Sequence, residues 1–183
     1  RLDKDTSGVM VVARSLKAHA SLVDQLQTRS MRRVYEAVLK GEISPAGTVE
    51  ANIDRNPRDR KNMAVRESGR TATSHYKLIQ RLPGTSHVEV SLESGRTHQI
   101  RVHMTHIGFP IVGDQLYGRG PIKQKGLPES AITAINQFPR QALHARTLRL
   151  IHPETGEECE FSALLANDIN ELIVTLKQSM SDD

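Results

Sequence analysis

Residues 71–92 read TATSHYKLIQRLPGTSHVEVSL and contain two strand-like segments on either side of Pro83-Gly84. Proline and glycine together favour a tight turn, so residues 71–81 and 86–92 are predicted to form a β-hairpin. Residues 33–40 alternate between two sets of side chains with the two-residue period of another strand. Sheet structure built from local pairings is therefore expected at the centre of the chain.

The other predicted elements surround this hairpin. Ser15 is a plausible N-cap for the first helix, and Gly108 fits the end of the second. The remaining predicted elements are strands at 8–13, 48–54, 141–151 and 157–162, helices at 16–29, 97–107 and 165–176, and a surface excursion with a short helix at 119–139. Hairpins with a few helices, without regular strand–helix alternation, indicate an α+β fold with a mixed, mainly antiparallel sheet and flanking helices.

Composition limits the kind of protein. The chain has 183 residues, a formal net charge of +4 and a single cysteine, Cys159, which cannot form an internal disulfide framework. We therefore expect a reducing, cytoplasmic setting. No apolar run approaches the ~20 residues that would cross a bilayer, so no membrane partner is expected.

The basic residues are concentrated in one segment, which runs from Arg55 to Arg70. Its candidate RNA-binding residues are Arg55, Arg58, Arg60 and Lys61. Such a segment can be a solvated loop, or it can neutralise the phosphates of a nucleic acid. Composition leaves both interpretations open.

A carboxylate-rich segment, Asp3-Lys4-Asp5-Thr6-Ser7-Gly8, is the first candidate for chemistry. It resembles the start of a calcium loop, but the twelfth position of that loop is Arg14, whose charge would repel the ion. It also resembles the D-x-D-x-[ST] signature of aspartate-nucleophile phosphatases, in which the first Asp ends an apolar strand. A third pattern, R-L-D-x-x-[ST]-[ST]-G, matches at every stated position from Arg1 to Gly8.

That third pattern resembles the catalytic motif of RluA-type pseudouridine synthases. Three further blocks are similar to motifs of the same family and occur in the same order. They are Arg33-Val34-Tyr35, Gly95–His103 with its continuation Gly108–Gly118, and Gln141–Ala145 followed by His152-Pro153. The resemblance covers nearly the whole chain.

The resemblance implies that the protein isomerises uridine to pseudouridine in stem-loops of large-subunit ribosomal RNA. Asp3 would be the catalytic carboxylate, Tyr35 the aromatic residue against the flipped base, and Arg101 the bidentate partner of Asp3. Arg96 is the rival partner. The implied substrate-binding residues are Arg1, Thr6, Arg96, His98 and Gln99. A non-catalytic RNA-binding module and, more distantly, a phosphatase are the alternatives.

The resemblance also bears on the extent of the chain. The family's catalytic domain begins before R-L-D, and this chain starts at Arg1 without an initiator methionine. We therefore expect residues 1–178 to be the C-terminal part of an N-terminally truncated catalytic domain, and residues 179–183 to be a disordered tail. A monomer is expected.

No metal or organic cofactor is expected. His98, His103 and His106 have the spacing H-x₄-H-x₂-H, which leaves His98 turned away from the helix face that the other two share. No cysteine or nearby carboxylate completes a metal site.

Overall fold

The protein has thirteen regular elements among the residues that the structure, a computed structural model, describes: 1–59, 61–118, 120–122 and 126–180. The helices are α1 (Leu16–Gln27), α2 (Gln99–His106), α3 (Glu129–Gln137) and α4 (Asn167–Gln178). The strands are β1 (Ser7–Gly8), β2 (Arg32–Lys40), β3 (Ala46–Glu50), β4 (Ile53–Arg55), β5 (Met63–Val65), β6 (Thr73–Leu82), β7 (Thr85–Leu92), β8 (Leu143–Ile151) and β9 (Glu158–Ser162).

Seven strands form one sheet in the order β1-β8-β2-β7-β6-β3, and β9 also pairs with β8. The short β1 runs parallel to β8, whereas every other pairing in this sheet is antiparallel. The predicted α+β fold with a mixed, mainly antiparallel sheet is therefore confirmed. The predicted hairpin is β6–β7, and Gly84 makes its turn with φ of +64°.

The main core lies between this sheet and helices α2, α3 and α4. Val38, Val88 and Val90 on the central strands are fully buried, as are Met104 of α2 and Leu176 of α4. The alternation along β2 and the helical period of α4 place one apolar face of each element against the other. The central strands are consequently a rigid base for the side chains that project from the sheet's ends.

The predicted buried strand at 8–13 is wrong. Only Ser7–Gly8 pair with β8, and Gly8 approaches it so closely that a Cβ would overlap the backbone of Ala145. The following residues are extended, with Val9 and Val11 packed inward and Val12 70% exposed. An unbroken apolar run therefore does not distinguish a buried strand from an extended segment at the edge of a sheet.

The basic segment contains structure that the sequence did not predict. The single strand expected at 48–54 is two strands, β3 in the main sheet and β4, which pairs with β5. The three-residue β5 lies inside the basic segment and is too short for a periodic signal. We call β4, β5 and their connection the basic hairpin.

At the C-terminal end, Ser179 is buried and its hydroxyl donates a hydrogen bond to the carbonyl oxygen of Leu176. The tail was expected to begin at this residue, which instead belongs to the end of α4. Residues 181–183 lie outside the described part of the chain. No helix in the described residues is both long and apolar enough to span a bilayer.

Candidate active site

The segment that carries Asp3 is held to the rest of the fold by Arg140 and Gln141, which lie just before β8. The Gln141 amide donates hydrogen bonds to the carbonyl oxygen of Lys4 at 2.6 Å and to the hydroxyl of Thr6 at 3.1 Å. The amide of Thr6 also donates to the carbonyl oxygen of Asp3 at 3.1 Å. These bonds close a turn around Asp3. The hydroxyl of Thr6, a predicted substrate-binding group, accepts its hydrogen bond from Gln141.

Arg140 makes a second set of bonds to the same turn. Its guanidinium donates to the carbonyl oxygen of Asp5 at 2.9 Å and to the hydroxyl of Ser7 at 3.4 Å. The other side of the fork binds both carboxylate oxygens of Asp168 on α4, each at 2.6 Å. The backbone around Asp3 is thus fixed from both the sheet and α4, which presets the position of its carboxylate.

The structure brings Asp3 and Arg101 together, but not as a bidentate pair. Arg101 Nη1 lies 3.5 Å from the Asp3 carboxylate. The fork of Arg101 instead binds Asp114, through Nε at 2.7 Å and Nη2 at 2.9 Å. The expectation of a bidentate Asp3–Arg101 pair is therefore wrong, because Asp114 occupies the edge of the guanidinium that makes paired bonds.

Asp114 is the most buried member of this group, with a side chain that is 1% exposed. Burial raises the pKa of its carboxyl. The hydrogen bonds and the charge of Arg101 lower this pKa by more than burial raises it, so the net pKa lies below the ordinary value of 3.8. Backbone amides of Leu116 and Tyr117 also donate to it. Asp114 therefore fixes the orientation of Arg101, which leaves Nη1 directed at Asp3.

Tyr117 connects this group to the basic hairpin. Its ring lies under the guanidinium of Arg101, 5.0 Å from Cζ. Its hydroxyl accepts a hydrogen bond from the backbone amide of Met63 on β5 at 2.8 Å, and lies 2.7 Å from Nδ1 of His98. His98 adopts a left-handed conformation, with φ of 57°, immediately before α2. One aromatic side chain therefore contacts the arginine, the histidine and the hairpin together.

An open cleft of about 700 Å³ lies beside Asp3. Tyr35 lines the cleft from β2, and Arg1 and Arg96 line it from the loops on either side. Burial raises the pKa of the Tyr35 hydroxyl, Arg33 lowers it and Asp3 raises it, and the net pKa lies above 10.0. Tyr35 is therefore a neutral phenol at neutral pH, able to offer a flat ring and a hydroxyl donor to a planar ligand.

The other predicted substrate-binding residues are divided between the cleft and the interior. Arg1 donates to the hydroxyl of Thr97 at 3.3 Å, and Arg96 Nε donates to the carbonyl oxygen of Thr71 at 3.1 Å. Gln99 is 3% exposed, and its amide donates to the carbonyl oxygen of Thr73. The structure thus places Arg1 and Arg96 at the cleft and Gln99 behind it, as a support for the loop before α2.

Three of the four residues predicted to contact RNA belong to the basic hairpin: Arg55 ends β4, and Arg58 and Lys61 lie between β4 and β5. Arg55, Arg58 and Lys61 are exposed, whereas Arg60 lies outside the described residues. The apolar side of the hairpin packs against Val102 of α2 through Met63 and Val65. The hairpin therefore exposes basic side chains that are able to contact phosphates, while its apolar side stays packed on α2.

The histidines that suggested a metal site have partners within the protein. His103 is fully buried, with Nδ1 2.9 Å from the Ser74 hydroxyl and Nε2 2.9 Å from the Ala51 carbonyl oxygen. Within the described residues, no three His, Cys, Asp or Glu side chains are grouped closely enough to hold a metal ion. His103 therefore joins α2 to β6 and to the short link between β3 and β4.

Asp114 and Tyr117 are the functional residues to which sequence reasoning assigned no role. Both stand in the stretch Gly113–Gly118, which was noted as a motif without a function for its members. The available signal was an acidic and an aromatic residue three positions apart after a Gly-Asp turn. Only the folded chain shows that both contact Arg101.

Comparison with known proteins gives a consistent picture. A model of the RNA pseudouridylate synthase family matches residues 1–106. Proteins called ribosomal large subunit pseudouridine synthase D are similar along almost the whole chain. The one from Xanthomonas campestris is 50% identical over 178 residues, covering 97% of this chain and 54% of the relative. The one from Escherichia coli is 45% identical over 182 residues, covering 100% and 56%.

The chain spans about half the length of these curated relatives. Among solved structures, human RNA pseudouridylate synthase domain containing 1 superposes with a TM-score of 0.72 at 25% identity, over 97% of this chain and 78% of that one. Human RNA pseudouridylate synthase domain containing 4 superposes with a TM-score of 0.77 at 23% identity, over 97% of this chain and 74% of that one. Sequence and fold agree, and the chain belongs to the RNA pseudouridylate synthase family.

Proposed function

We propose that the protein converts uridine to pseudouridine in large-subunit ribosomal RNA, with Asp3 as the catalytic carboxylate. The observation that carries the proposal is the placement of Asp3 at the wall of an open cleft, beside Tyr35 and within reach of Arg101. The printed names of the relatives supply the substrate class. Arg1 and Arg96, which line the same cleft, and His98, which contacts Tyr117 beside Arg101, would bind the target nucleotide.

The geometry fits the needs of this isomerisation. A base flipped out of folded RNA needs a planar surface, which Tyr35 offers, and a carboxylate at the sugar, which Asp3 offers. Asp3 is 17% exposed at its side chain, so it is accessible from the cleft while Arg101 supplies a positive charge beside it. Either covalent attack or proton abstraction would use a carboxylate placed in this way.

The competing functions make different demands on the site. A phosphatase of the D-x-D type would depend on magnesium for its activity. A non-catalytic RNA-binding module needs the basic hairpin but no carboxylate placed in a cleft. The anchoring of the Asp3 turn by Gln141 and Arg140 favours the enzyme. A cytoplasmic monomer is part of the same proposal.

Replacing Asp3 with Asn tests the proposal. In the full-length protein, Asp3→Asn should lower pseudouridine formation in a transcript of large-subunit rRNA by at least roughly 100-fold, because an amide is a poor nucleophile and base. Binding of the same transcript should be unchanged. Pseudouridine can be counted by nuclease digestion and mass spectrometry.

Asp5→Asn is the matched control. Asp5 is exposed and has φ of 68°, a conformation that Asn accepts readily, so this change should leave the rate unaltered. A rate for Asp3→Asn within about tenfold of wild type would refute the catalytic assignment. RNA binding by the wild-type protein without any pseudouridine would establish the binding-module alternative.

A further inference from the structure

Arg33 presents to the cleft a positive charge that has no partner among the described residues. Its side chain lines the cleft next to Tyr35 and Gly95. Its Nε is buried and has no hydrogen-bond partner, and across the described residues the guanidinium makes no ion pair. A partly buried cation without a partner is unfavourable in the free protein, and an acceptor on a bound ligand would remove that cost.

The carboxylates among the described lining residues of the cleft are committed to other groups. Glu93 accepts a hydrogen bond from Arg29 at 2.8 Å and contacts His75 at 2.8 Å. Asp3 faces Arg101. The other arginines that line the cleft have partners, as Arg1 and Arg96 donate to Thr97 and Thr71. Among the described arginines that line the cleft, Arg33 is therefore the one whose guanidinium makes no hydrogen bond or ion pair within the described chain.

The fold fixes where this guanidinium lines the cleft. Arg33 and Tyr35 are two residues apart on β2, so their side chains leave the same face of the strand. A Cβ on Gly95 would overlap Nη1 of Arg33, so the glycine leaves the room that the guanidinium occupies. Arg33, Tyr35 and Asp3 all line this cleft.

We propose that Arg33 binds a carbonyl oxygen of the target base and stabilises the negative charge that the base acquires during detachment. This inference rests on the proposed function. Arg33 is half-buried and lines the cleft together with Tyr35, the ring proposed to lie against the base, whereas Arg1 is exposed and better placed for a backbone phosphate. A guanidinium fixed in a partly buried site interacts with a developing anion more strongly than water does.

The chemistry requires such a group in either route open to Asp3. The bond between C1′ and N1 breaks, and its electron pair stays on the base, which becomes a uracil anion. The Asp3 carboxylate either bonds to C1′ or removes the proton from C2′. When C5 of the base bonds to C1′, Asp3 departs from C1′ or returns the proton to C2′. The proton on C5 is then lost to solvent and N1 takes one up, so the product is an isomer of the substrate. Arg33 would act on the anion between these two bond changes.

Arg33→Met in the full-length protein is the first test. With an unmodified transcript of its own large-subunit rRNA, the single-turnover rate should fall roughly 100-fold, as on loss of one anion-stabilising donor. Arg33→Lys should recover part of the rate, because it restores the charge without the planar fork. Arg32→Met is the matched control, because Arg32 is exposed on the opposite face of the same strand.

Two further measurements separate this role from others. A transcript containing 5-fluorouridine carries a base whose anion is more stable, so the defect of Arg33→Met in forming rearranged product should shrink with it. The melting temperature of Arg33→Met should be unchanged or higher, because an unpartnered buried charge has been removed. A residue with a merely structural role would show a lower melting temperature and the same defect on both transcripts.

Each other outcome has a definite meaning. A wild-type rate for Arg33→Met, or an equal defect on both transcripts, would overturn the inference while leaving the proposed function standing. Weaker RNA binding with a salt dependence reduced by about one unit of log–log slope would make Arg33 a phosphate contact and also overturn it. Absence of pseudouridine with the wild-type protein would overturn the proposed function and this inference together.

Discussion

Arg101 serves two carboxylates with different edges of one guanidinium. Nε and Nη2 bind Asp114, and Nη1 is left for Asp3 at 3.5 Å. Because the Asp114 pair is buried and short, it sets the plane of the guanidinium, and the contact to Asp3 follows from that plane. The 3.5 Å separation at Asp3 leaves its carboxylate able to move toward a substrate.

This arrangement predicts a specific failure of lysine at position 101. Arg101→Lys retains one positive charge but cannot reach Asp114 and Asp3 at once, so pseudouridine formation should fall by roughly 10- to 100-fold. Arg101→Met should in addition lower stability by about 3–5 kcal/mol, because it leaves the Asp114 carboxylate buried without its partner. Single-turnover assays and denaturant unfolding measure the two effects. A wild-type rate for both variants would place the active site elsewhere.

Asp114 should also contribute to the acid sensitivity of the fold. Its folded pKa lies below the ordinary value of 3.8, so its stabilising effect is fully present above that value and is lost as the pH falls through the folded pKa. Asp114→Asn should therefore be less stable near neutral pH and lose less stability between about pH 4 and pH 2. Free energies of unfolding measured across this range test it, and an unchanged slope for the variant would contradict it.

At the scale of elements, the basic hairpin combines an exposed face that can meet RNA with a buried face that supports the site. Met63 of β5 donates its amide to Tyr117, whose ring lies against Arg101. The hairpin also packs on α2, the helix that carries Arg101. Displacement of this element would therefore disturb both the exposed basic side chains and the support of Arg101.

Neutralising the exposed face should affect binding alone. Replacing Arg58 and Lys61 together with Gln should weaken binding to any RNA and reduce its salt dependence by roughly one unit of log–log slope per lost phosphate contact. The maximal rate at saturating RNA should be retained, because the apolar side of the hairpin is unchanged. Lys77 and Lys177 are exposed on β6 and α4, and replacing both with Gln is the charge-matched control. Equal slopes for the two double variants would return this segment to the interpretation as a solvated loop.

At the scale of the whole molecule, the sheet places residues from distant parts of the chain around one cleft. Asp3 comes from the first turn, Tyr35 from β2 and Arg101 from α2. The parallel pairing of β1 with β8 is what brings the N-terminal turn to the edge of an otherwise antiparallel sheet. The Gln141 and Arg140 bonds then hold it there.

The whole protein should work without a bound metal. His98 and His103 contact Tyr117, Ser74 and Ala51, so these candidate ligands already have protein partners. Excess EDTA, with the RNA held folded by monovalent salt, should leave the single-turnover rate within about threefold of its untreated value, since the proposed chemistry relies on a carboxylate. Loss of activity that is restored by a metal retained on the protein through gel filtration would contradict this.

The sequence by itself determined the local structure and the identity of the chemical groups. Alternation in β2, the Pro83-Gly84 turn and the helical period of α4 depend on neighbours a few residues away, so they can be inferred without the fold. The motifs that resemble the family likewise pointed to Asp3, Tyr35 and Arg101 as candidate site residues, since such motifs can be recognised in the sequence alone. The extended run after Gly8 and the three-residue β5 were missed, since neither has a period long enough to measure.

Only the tertiary structure decided which groups meet. The bidentate partner of Arg101 is Asp114 rather than Asp3, because a tight turn carries Asp114 onto the edge of the guanidinium that makes paired bonds. Gln99 became a buried support, and Arg33 became an unpartnered cation in the cleft. Hydrogen bonds and ion pairs between residues far apart in the chain depend on distances of a few tenths of an ångström, which packing sets and local sequence does not encode.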